Sequence, residues 1–120
     1  MGGEQALQVK TADIALRIIK MVEALPPGPI ANVIGHQVLR SGTSIGANYR
    51  AAARAKSKAD MVNKLKIVEE EADETIYWLD LLVKSELVPE NRLKPLMNEV
   101  EQVVALTVAS IKTIRANQRS

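Results

Sequence analysis

The sequence predicts an all-α protein, an up-down-up-down antiparallel four-helix bundle. Apolar residues recur at spacings of three and four in four segments, which is the period of one helix face. Prolines, glycines and capping residues separate the segments by short connections, which favour antiparallel neighbours. No segment alternates polar and apolar residues as a strand would. We expect a single domain over residues 1–120, with helices at about 11–25, 30–56, 58–86 and 90–117.

The composition excludes several classes of function. The chain has no Cys and one His, which excludes disulfide scaffolds, thiol catalysis and multi-histidine metal sites. Aromatic residues make up 2% of it, which argues against an RNA-binding sheet that stacks bases on several rings. No apolar run approaches the ~18 residues of a membrane span, and charges interrupt the N-terminal segment. We expect a cytoplasmic protein with no membrane partner.

The first two helices are separated by the sequence Pro-Pro-Gly-Pro at residues 26–29. Proline ends the first helix, which is expected from Thr11, or a turn or two earlier, to Leu25, and the second starts near Pro29. Glycine inside a helix costs about 1 kcal/mol of stability relative to alanine. Because close approach of another helix would compensate this cost, we expect such a contact at Gly42 and Gly46. A helix break at residues 41–44 is the alternative. The apolar face of the first helix contains Leu7, Ile14, Ile18, Met21 and Leu25.

A cap and two apolar stripes define the third and fourth helices. Ser57 is the predicted N-cap of the third helix, with Asp60 in place of the usual Glu or Gln of a capping box. Pro95 is compatible with the fourth helix only in about the first turn, where amide hydrogens lack partners inside the helix. The stripes contain Val62, Leu65, Val68 or Glu69, Ala72, Ile76, Leu79 and Val83, and then Leu93, Met97, Val100, Val104, Thr107, Ile111 and Ile114.

Two central stretches are distinctive in combination. Residues 40–48 read Arg-Ser-x-x-Ser-Ile-x-Ala-Asn, and residues 71–79 read Glu-Ala-x-Glu-Thr-x-x-Trp-Leu. With them the chain resembles the four-helix bundle family of the 23S rRNA intervening sequence proteins, and the resemblance extends more weakly through the first and fourth helices. The sequence departs from the family pattern at Met61, where Phe is usual, which is a difference in packing.

The resemblance implies a cytosolic bacterial protein that assembles as a homopentameric ring, and it implies no enzyme activity. Some members are encoded in insertions within large-subunit ribosomal RNA genes. Distant relatives with the same bundle act as accessory proteins to retroelement reverse transcriptases. The candidate partners are therefore further copies of the chain, RNA or DNA, and another protein.

Apolar residues beyond the main stripes independently favour an oligomer, because they exceed what the seam of one bundle needs. Trp78 lies beside several of them and is either a core residue or an anchor at a subunit interface. The additional apolar residues are Leu81, Leu82, Val103 and Leu106.

Two carboxylates of the third helix lie on a partly apolar face. Glu71 and Glu74 share a stripe with Trp78, and a buried carboxylate needs a partner. The favoured interpretation is a structural or interface network, not a ligand site, with Arg40, Asn48 and Arg50 as candidate partners. A dinuclear metal centre is disfavoured because the chain has no Glu-x-x-His motif. No metal and no cofactor are expected.

The basic residues carry the strongest indication of function. Residues 40–66 contain seven Lys or Arg and a single acidic residue. In the predicted bundle this segment shares one end with the C-terminus of the fourth helix, whereas Glu23, Glu86 and Glu90 lie at the other end. Cations are ordinary partners of helix C-termini, but this does not explain Lys58 at a helix N-terminus. The candidate nucleic-acid contacts are Arg50, Arg54, Lys56, Lys58, Lys64, Arg115 and Arg119, and Lys112 lies at the same end.

The sequence thus predicts a non-enzymatic, self-assembling bundle with no catalytic residues. Its first hypothesis is a scaffold or adaptor that contacts RNA or a ribonucleoprotein through the basic end. The alternative is a protein-only assembly or accessory module for a polypeptide such as a reverse-transcriptase-like enzyme. A metal- or small-molecule-dependent enzyme is the third and least favoured hypothesis. Four hydroxyl groups lack a nearby base, since His36 is the one histidine: Ser41, Thr43, Ser44 and Ser57.

Overall fold

The computed structural model describes residues 2–119, with side chains from 5 to 118. It has four helices, namely α1 (Gly2–Glu23), α2 (Pro29–Ala53), α3 (Lys58–Lys84) and α4 (Glu90–Arg119), and no strand within the described range. The predicted all-α class is confirmed. None of the helices in this range is both long and apolar enough to cross a membrane.

Two helix ends differ from the sequence prediction by three residues or more. α1 begins more than two turns before Thr11, because Gln5, Ala6 and Gln8 are compatible with a helix and Leu7 packs against the core. α2 ends at Ala53, three residues before the predicted end. Residues 54–57 are needed to reverse the chain and to place the N-cap of α3.

Side-chain contacts show that α1 is antiparallel to both α2 and α4. Gly42 faces Ile18 and Gly46 faces Thr11, so rising residue numbers in α2 meet falling numbers in α1. The same order holds between α1 and α4, where Lys10 contacts Gln102 and Arg17 contacts Glu99. The bundle measures 53 × 23 × 21 Å, and α4 closes it by packing on both α3 and α1.

Glycines let α1 and α2 approach closely. A Cβ atom at Gly42 would overlap Cδ1 of Ile18, and one at Gly46 would lie 3.2 Å from Oγ1 of Thr11. The predicted close approach is confirmed, although side chains of α1 make most of the contact. α2 is continuous through residues 41–44, so the alternative of a break there is wrong.

Side-chain caps fix the N-terminus of α3, and backbone hydrogen bonds fix its C-terminus. The Ser57 hydroxyl accepts the Asp60 amide at 3.0 Å, as predicted for the N-cap, and the Asp60 carboxylate accepts the Lys56 amide at 3.2 Å. At the other end Glu86 adopts a left-handed φ of 63°, and the Leu87 amide donates to the Leu82 carbonyl at 3.0 Å. This is the Schellman arrangement, in a position that glycine usually occupies.

Pro95 lies deeper in its helix than the first turn. α4 begins at Glu90, which makes Pro95 the sixth helical residue. The Asn91 carbonyl therefore lacks the amide partner that another residue would supply, which is the usual cost of proline inside a helix. The prediction was wrong by about one turn.

The core follows the predicted stripes with a shift on α3 and α4. The fully buried residues include Ile14, Ile18, Val38, Ile45 and Leu79. A helix that packs against two neighbours buries a wider face than a two-stranded seam, which explains the shift. Ile76, Val83, Met97, Val104 and Ile114 are only partly buried, whereas Thr75, Leu82, Leu96 and Val103 are buried in full.

Candidate nucleic-acid interface

The basic residues of the α2–α3 turn lie at the same end of the bundle as the C-terminus of α4. Ala52 of α2, Met61 of α3 and Ile114 of α4 line one apolar cavity at this end, together with Leu7 of α1. We call this end the basic pole and define it by its cations, Arg50, Arg54, Lys56, Lys58, Lys64, Lys66, Lys112 and Arg115. The side chain of Arg119, also predicted there, lies outside the described residues.

The pole cations reach solvent. Only Lys64 is half-buried, and the other seven are exposed. Arg54 is the C-cap of α2, where a positive charge complements the helix dipole. Lys58 is the first residue of α3, where the dipole disfavours a cation. Helix capping therefore accounts for Arg54 and leaves Lys58 without a structural reason.

Among the described side chains, these cations also form no ion pair with an acidic residue. The ion pairs found among the described side chains use the basic residues Lys10, Arg17, Arg40 and Lys84. None of them involves a cation of the basic pole. Asp60 is the acidic residue in this part of the sequence, and its carboxylate accepts a hydrogen bond from the backbone amide of Lys56. The positive charge of the pole is therefore not neutralised within the described part of the protomer.

The opposite end of the bundle is mixed in charge. Glu23, Glu86 and Glu90 lie there as predicted. The exposed cations Lys20, Lys84, Arg92 and Lys94 belong to the same end. The molecule therefore has one basic end and one end of mixed charge, which refines the charge separation expected from the sequence.

The predicted carboxylate network is centred on one arginine. Arg40 of α2 forms ion pairs with Glu71, at 3.2 Å, and with Glu74 of α3. Nε1 of Trp78 donates to the Glu74 carboxylate at 2.9 Å. The Trp78 hydrogen bond, followed by that from Arg40, holds the pKa of Glu74 below its ordinary value of 4.5. These four side chains form one polar cluster at the surface where α2 and α3 meet.

Two predicted partners are not part of this cluster. Asn48 donates instead to the backbone carbonyl of Ser44 at 2.9 Å, within α2. Arg50 makes no ion pair among the described side chains and belongs to the basic pole. The spacing along α2 explains this. Arg40 lies beside Glu71 and Glu74 of α3, whereas Asn48 and Arg50 lie more than two helical turns closer to the basic pole.

The predicted core role of Trp78 is met in part, and its role at a subunit interface stays a prediction. Trp78 packs against the core cluster, yet its side chain stays half-buried. Tyr77 contacts it edge to face, with ring centroids 5.0 Å apart, and is itself exposed. Met61, where the resemblance implies Phe, is partly buried and packs against the core.

A buried pair of hydroxyl groups lies beneath the network, and no sequence pattern pointed to it. Oγ of Ser41 and Oγ1 of Thr75 lie 2.9 Å apart, and the Thr75 hydroxyl also reaches the Glu71 carbonyl at 2.8 Å. Both residues are fully buried. Each hydroxyl group gives the other a hydrogen-bond partner between α2 and α3. Without such a partner, a buried hydroxyl group would lower the stability of the fold through its lost hydration. Knowledge of the interhelix register was needed to pair these two residues.

The chain matches one protein family over most of its length. The family model of the 23S rRNA-intervening sequence protein matches residues 5–109. A crystal structure from Bacteroides thetaiotaomicron VPI-5482, of a protein with unknown function from the S23 ribosomal protein family, is 36% identical. That structure is similar over 91% of this chain and 97% of its own, with a TM-score of 0.82. No curated protein shows a significant match. The chain belongs to the family of the 23S rRNA-intervening sequence proteins.

Proposed function

We propose that this protein is a non-enzymatic, self-assembling bundle that contacts RNA through its basic pole. The observation that carries the proposal is the group of accessible pole cations that make no ion pair among the described residues. Phosphate groups supply the missing negative charge, and their binding releases counterions from the RNA. A contact of this kind depends on charge and little on base sequence.

Assembly strengthens such a contact. Bundles that stand parallel in a ring bring their basic poles to one rim, where their potentials add. The family resemblance implies a ring of five, so native mass spectrometry is expected to give five times the 13.1 kDa mass of the chain. A monomer across the working concentration range would contradict the assembly, and RNA binding by that monomer would still be measurable on its own.

The RNA contact is tested by the fluorescence anisotropy of a labelled RNA hairpin in a salt series. The logarithm of the binding constant should fall linearly with the logarithm of the salt concentration. A contact with six or more phosphates loses about a thousandfold in affinity between roughly 50 and 200 mM salt. Absence of binding at low salt by folded, assembled protein would contradict the proposal.

A charge-reversal variant assigns the binding to the pole. Arg54→Glu, Lys56→Glu and Lys58→Glu together should abolish RNA binding and leave assembly intact. The matched control carries Lys20→Glu, Arg92→Glu and Lys94→Glu, three exposed residues of the opposite end with the same change in net charge. This control should bind as the parent does. Equal loss in both variants would show that net charge, and not the pole, determines binding.

A second candidate function is a protein-only accessory module, and the apolar cavity at the basic pole favours it. The cavity has a volume of about 670 Å³ and is lined by residues of all four helices, with Leu106 exposed at its lining. Its size and apolar lining are typical of recognition pockets. On this hypothesis a polypeptide such as a reverse-transcriptase-like enzyme stays bound after nuclease treatment and is released by Leu106→Glu. Release by nuclease alone would favour RNA contact.

A further inference from the structure

We propose that the apolar cavity at the basic pole binds a single fatty acid, with its alkyl chain inside the cavity and its carboxylate among the pole cations. The inference goes beyond the RNA contact proposed above and does not depend on it. It rests on the shape of the cavity, on the hydrogen bonds of its lining residues and on the cations beside it.

The cavity is an elongated slot that follows α4. At its inner end Nζ of Lys10 on α1 donates a hydrogen bond to Oε1 of Gln102 on α4 at 2.6 Å, which joins the two helices there. The lining continues along α4 from Leu106 to Ile114, and the buried Leu65 of α3 forms part of the floor. The helical rise from Leu106 to Ile114 is about 12 Å, a length that an extended alkyl chain of roughly ten carbons spans.

The hydroxyl groups of α4 in the lining are already engaged. Oγ of Ser110 donates to the Leu106 carbonyl at 2.9 Å. Oγ1 of Thr113 donates to the Ala109 carbonyl at 3.0 Å. A peptide segment in the slot would bury backbone amides and carbonyls that need partners, whereas an alkyl chain needs none. The small side chains of Ala52 and Ala109 also leave room for a row of methylene groups. The lining therefore favours an alkyl chain over a polypeptide backbone.

The basic pole supplies the charge that a carboxylate needs. Arg54, Lys58 and Lys112 are exposed, and each lies within one helical turn of a lining residue. None of the three forms an ion pair among the described side chains. Lys10 lines the inner end of the slot, but its Nζ already lies 3.5 Å from the Glu99 carboxylate. A fatty acid carboxylate is therefore attracted to the pole and not to the inner end, which sets the orientation of the bound molecule.

Calorimetric titration of the protein with fatty acids, below their micelle concentrations and without RNA, tests the slot. From hexanoate to decanoate the affinity should rise about fourfold for each methylene group, the gain expected when a methylene group is buried. The rise should stop in longer acids, whose chains exceed the slot. An affinity that does not depend on chain length, or no binding by the folded protein, would overturn the proposal.

Comparison with decanol tests the role of the carboxylate. Decanoate should bind at least about tenfold more tightly than decanol, because charge-assisted hydrogen bonds stabilise the carboxylate. This difference should decrease in an Arg54→Gln, Lys58→Gln variant. It should persist in a Lys20→Gln, Lys94→Gln control, altered at exposed residues of the opposite end. Equal binding of decanoate and decanol, or an equal decrease in both variants, would overturn the contact between the carboxylate and the pole.

A matched pair of tryptophan substitutions locates the binding site. Ala109 lines the cavity, whereas Ala105 lies about one turn away on α4, outside the lining. Ala109→Trp fills the slot and should abolish decanoate binding, while Ala105→Trp should bind as the parent does. Both positions are exposed, so neither substitution overpacks the core, and circular dichroism checks that both variants fold. Decanoate binding that persists in the folded Ala109→Trp variant would overturn the proposed site.

Discussion

Gly42 sets the distance between α1 and α2. Its missing side chain leaves room for Ile18, which is fully buried and occupies the position of a Cβ atom. Glycine is costly in the middle of a helix, and the packing of Ile18 offsets that cost. The sequence pattern was enough to predict close approach here, but which residue of α1 fills the space followed from the register of the two helices.

Gly42→Ala is expected to destabilise the protein, despite the better helix propensity of alanine. The added methyl group overpacks the contact, and overpacking in a core costs about 1–3 kcal/mol. Chemical denaturation, followed by the fluorescence of the single tryptophan, measures the free energy of unfolding. Ile18→Val removes Cδ1 and should restore most of the loss in the double variant. A double variant less stable than the sum of the single changes would contradict this explanation.

At the N-terminus of α3, a cap stabilises the helix while a positively charged side chain destabilises it. Ser57 and Asp60 provide a regular cap, and Lys58 adds a positive charge at the positive end of the dipole. The cap was predictable from local sequence because its hydrogen bonds join residues only three or four apart. The accumulation of charge was predictable only in part, since it depends on the C-terminus of α4 lying at the same end.

Lys58→Glu is expected to stabilise the fold and to weaken RNA binding. A carboxylate at the first helical position interacts favourably with the dipole, by about 0.3–1 kcal/mol. Lys66→Glu is the matched control, because Lys66 is an exposed pole cation in the interior of the same helix. It should weaken RNA binding without stabilising the fold. Denaturation and anisotropy measurements on both variants check this. Unchanged RNA affinity in both would argue that these lysines make no contact with RNA.

At the scale of the whole molecule, two ion-pair clusters join the helices on opposite sides. Arg40 links α2 to α3 through Glu71 and Glu74, and Arg17 links α1 to α4 through Glu99. The hydrogen bond from Arg17, followed by the charges of Arg17 and Lys10, holds the pKa of Glu99 below its ordinary value of 4.5. Both clusters are partly exposed, so each contributes modestly to stability.

The stability of the protein should decrease on acidification because of these carboxylates. The folded pKa values of Glu74 and Glu99 lie below the ordinary value, so the unfolded chain binds more protons in acid. Their contribution is complete above about pH 4.5 and is lost as the pH falls through the folded pKa. Denaturation from neutral to acid pH should show a shallower dependence in a Glu74→Gln, Glu99→Gln variant. A Glu70→Gln, Glu101→Gln control, altered at exposed residues, should behave as the parent. Equal slopes in all three proteins would contradict the assignment.

The sequence by itself determined the four helices, because periodicity, prolines and caps are local and each acts within a few residues. It also carried the two motifs that place the chain in its family. The tertiary structure decided which helix faces meet and at what register. Because of this packing, Arg40 forms ion pairs with both Glu71 and Glu74. Asn48 lies outside that cluster, and the side chains of Val9 and Leu16 are exposed to solvent. Periodicity identifies an apolar row, but only packing against specific neighbours determines whether that row becomes core or remains a surface for another molecule.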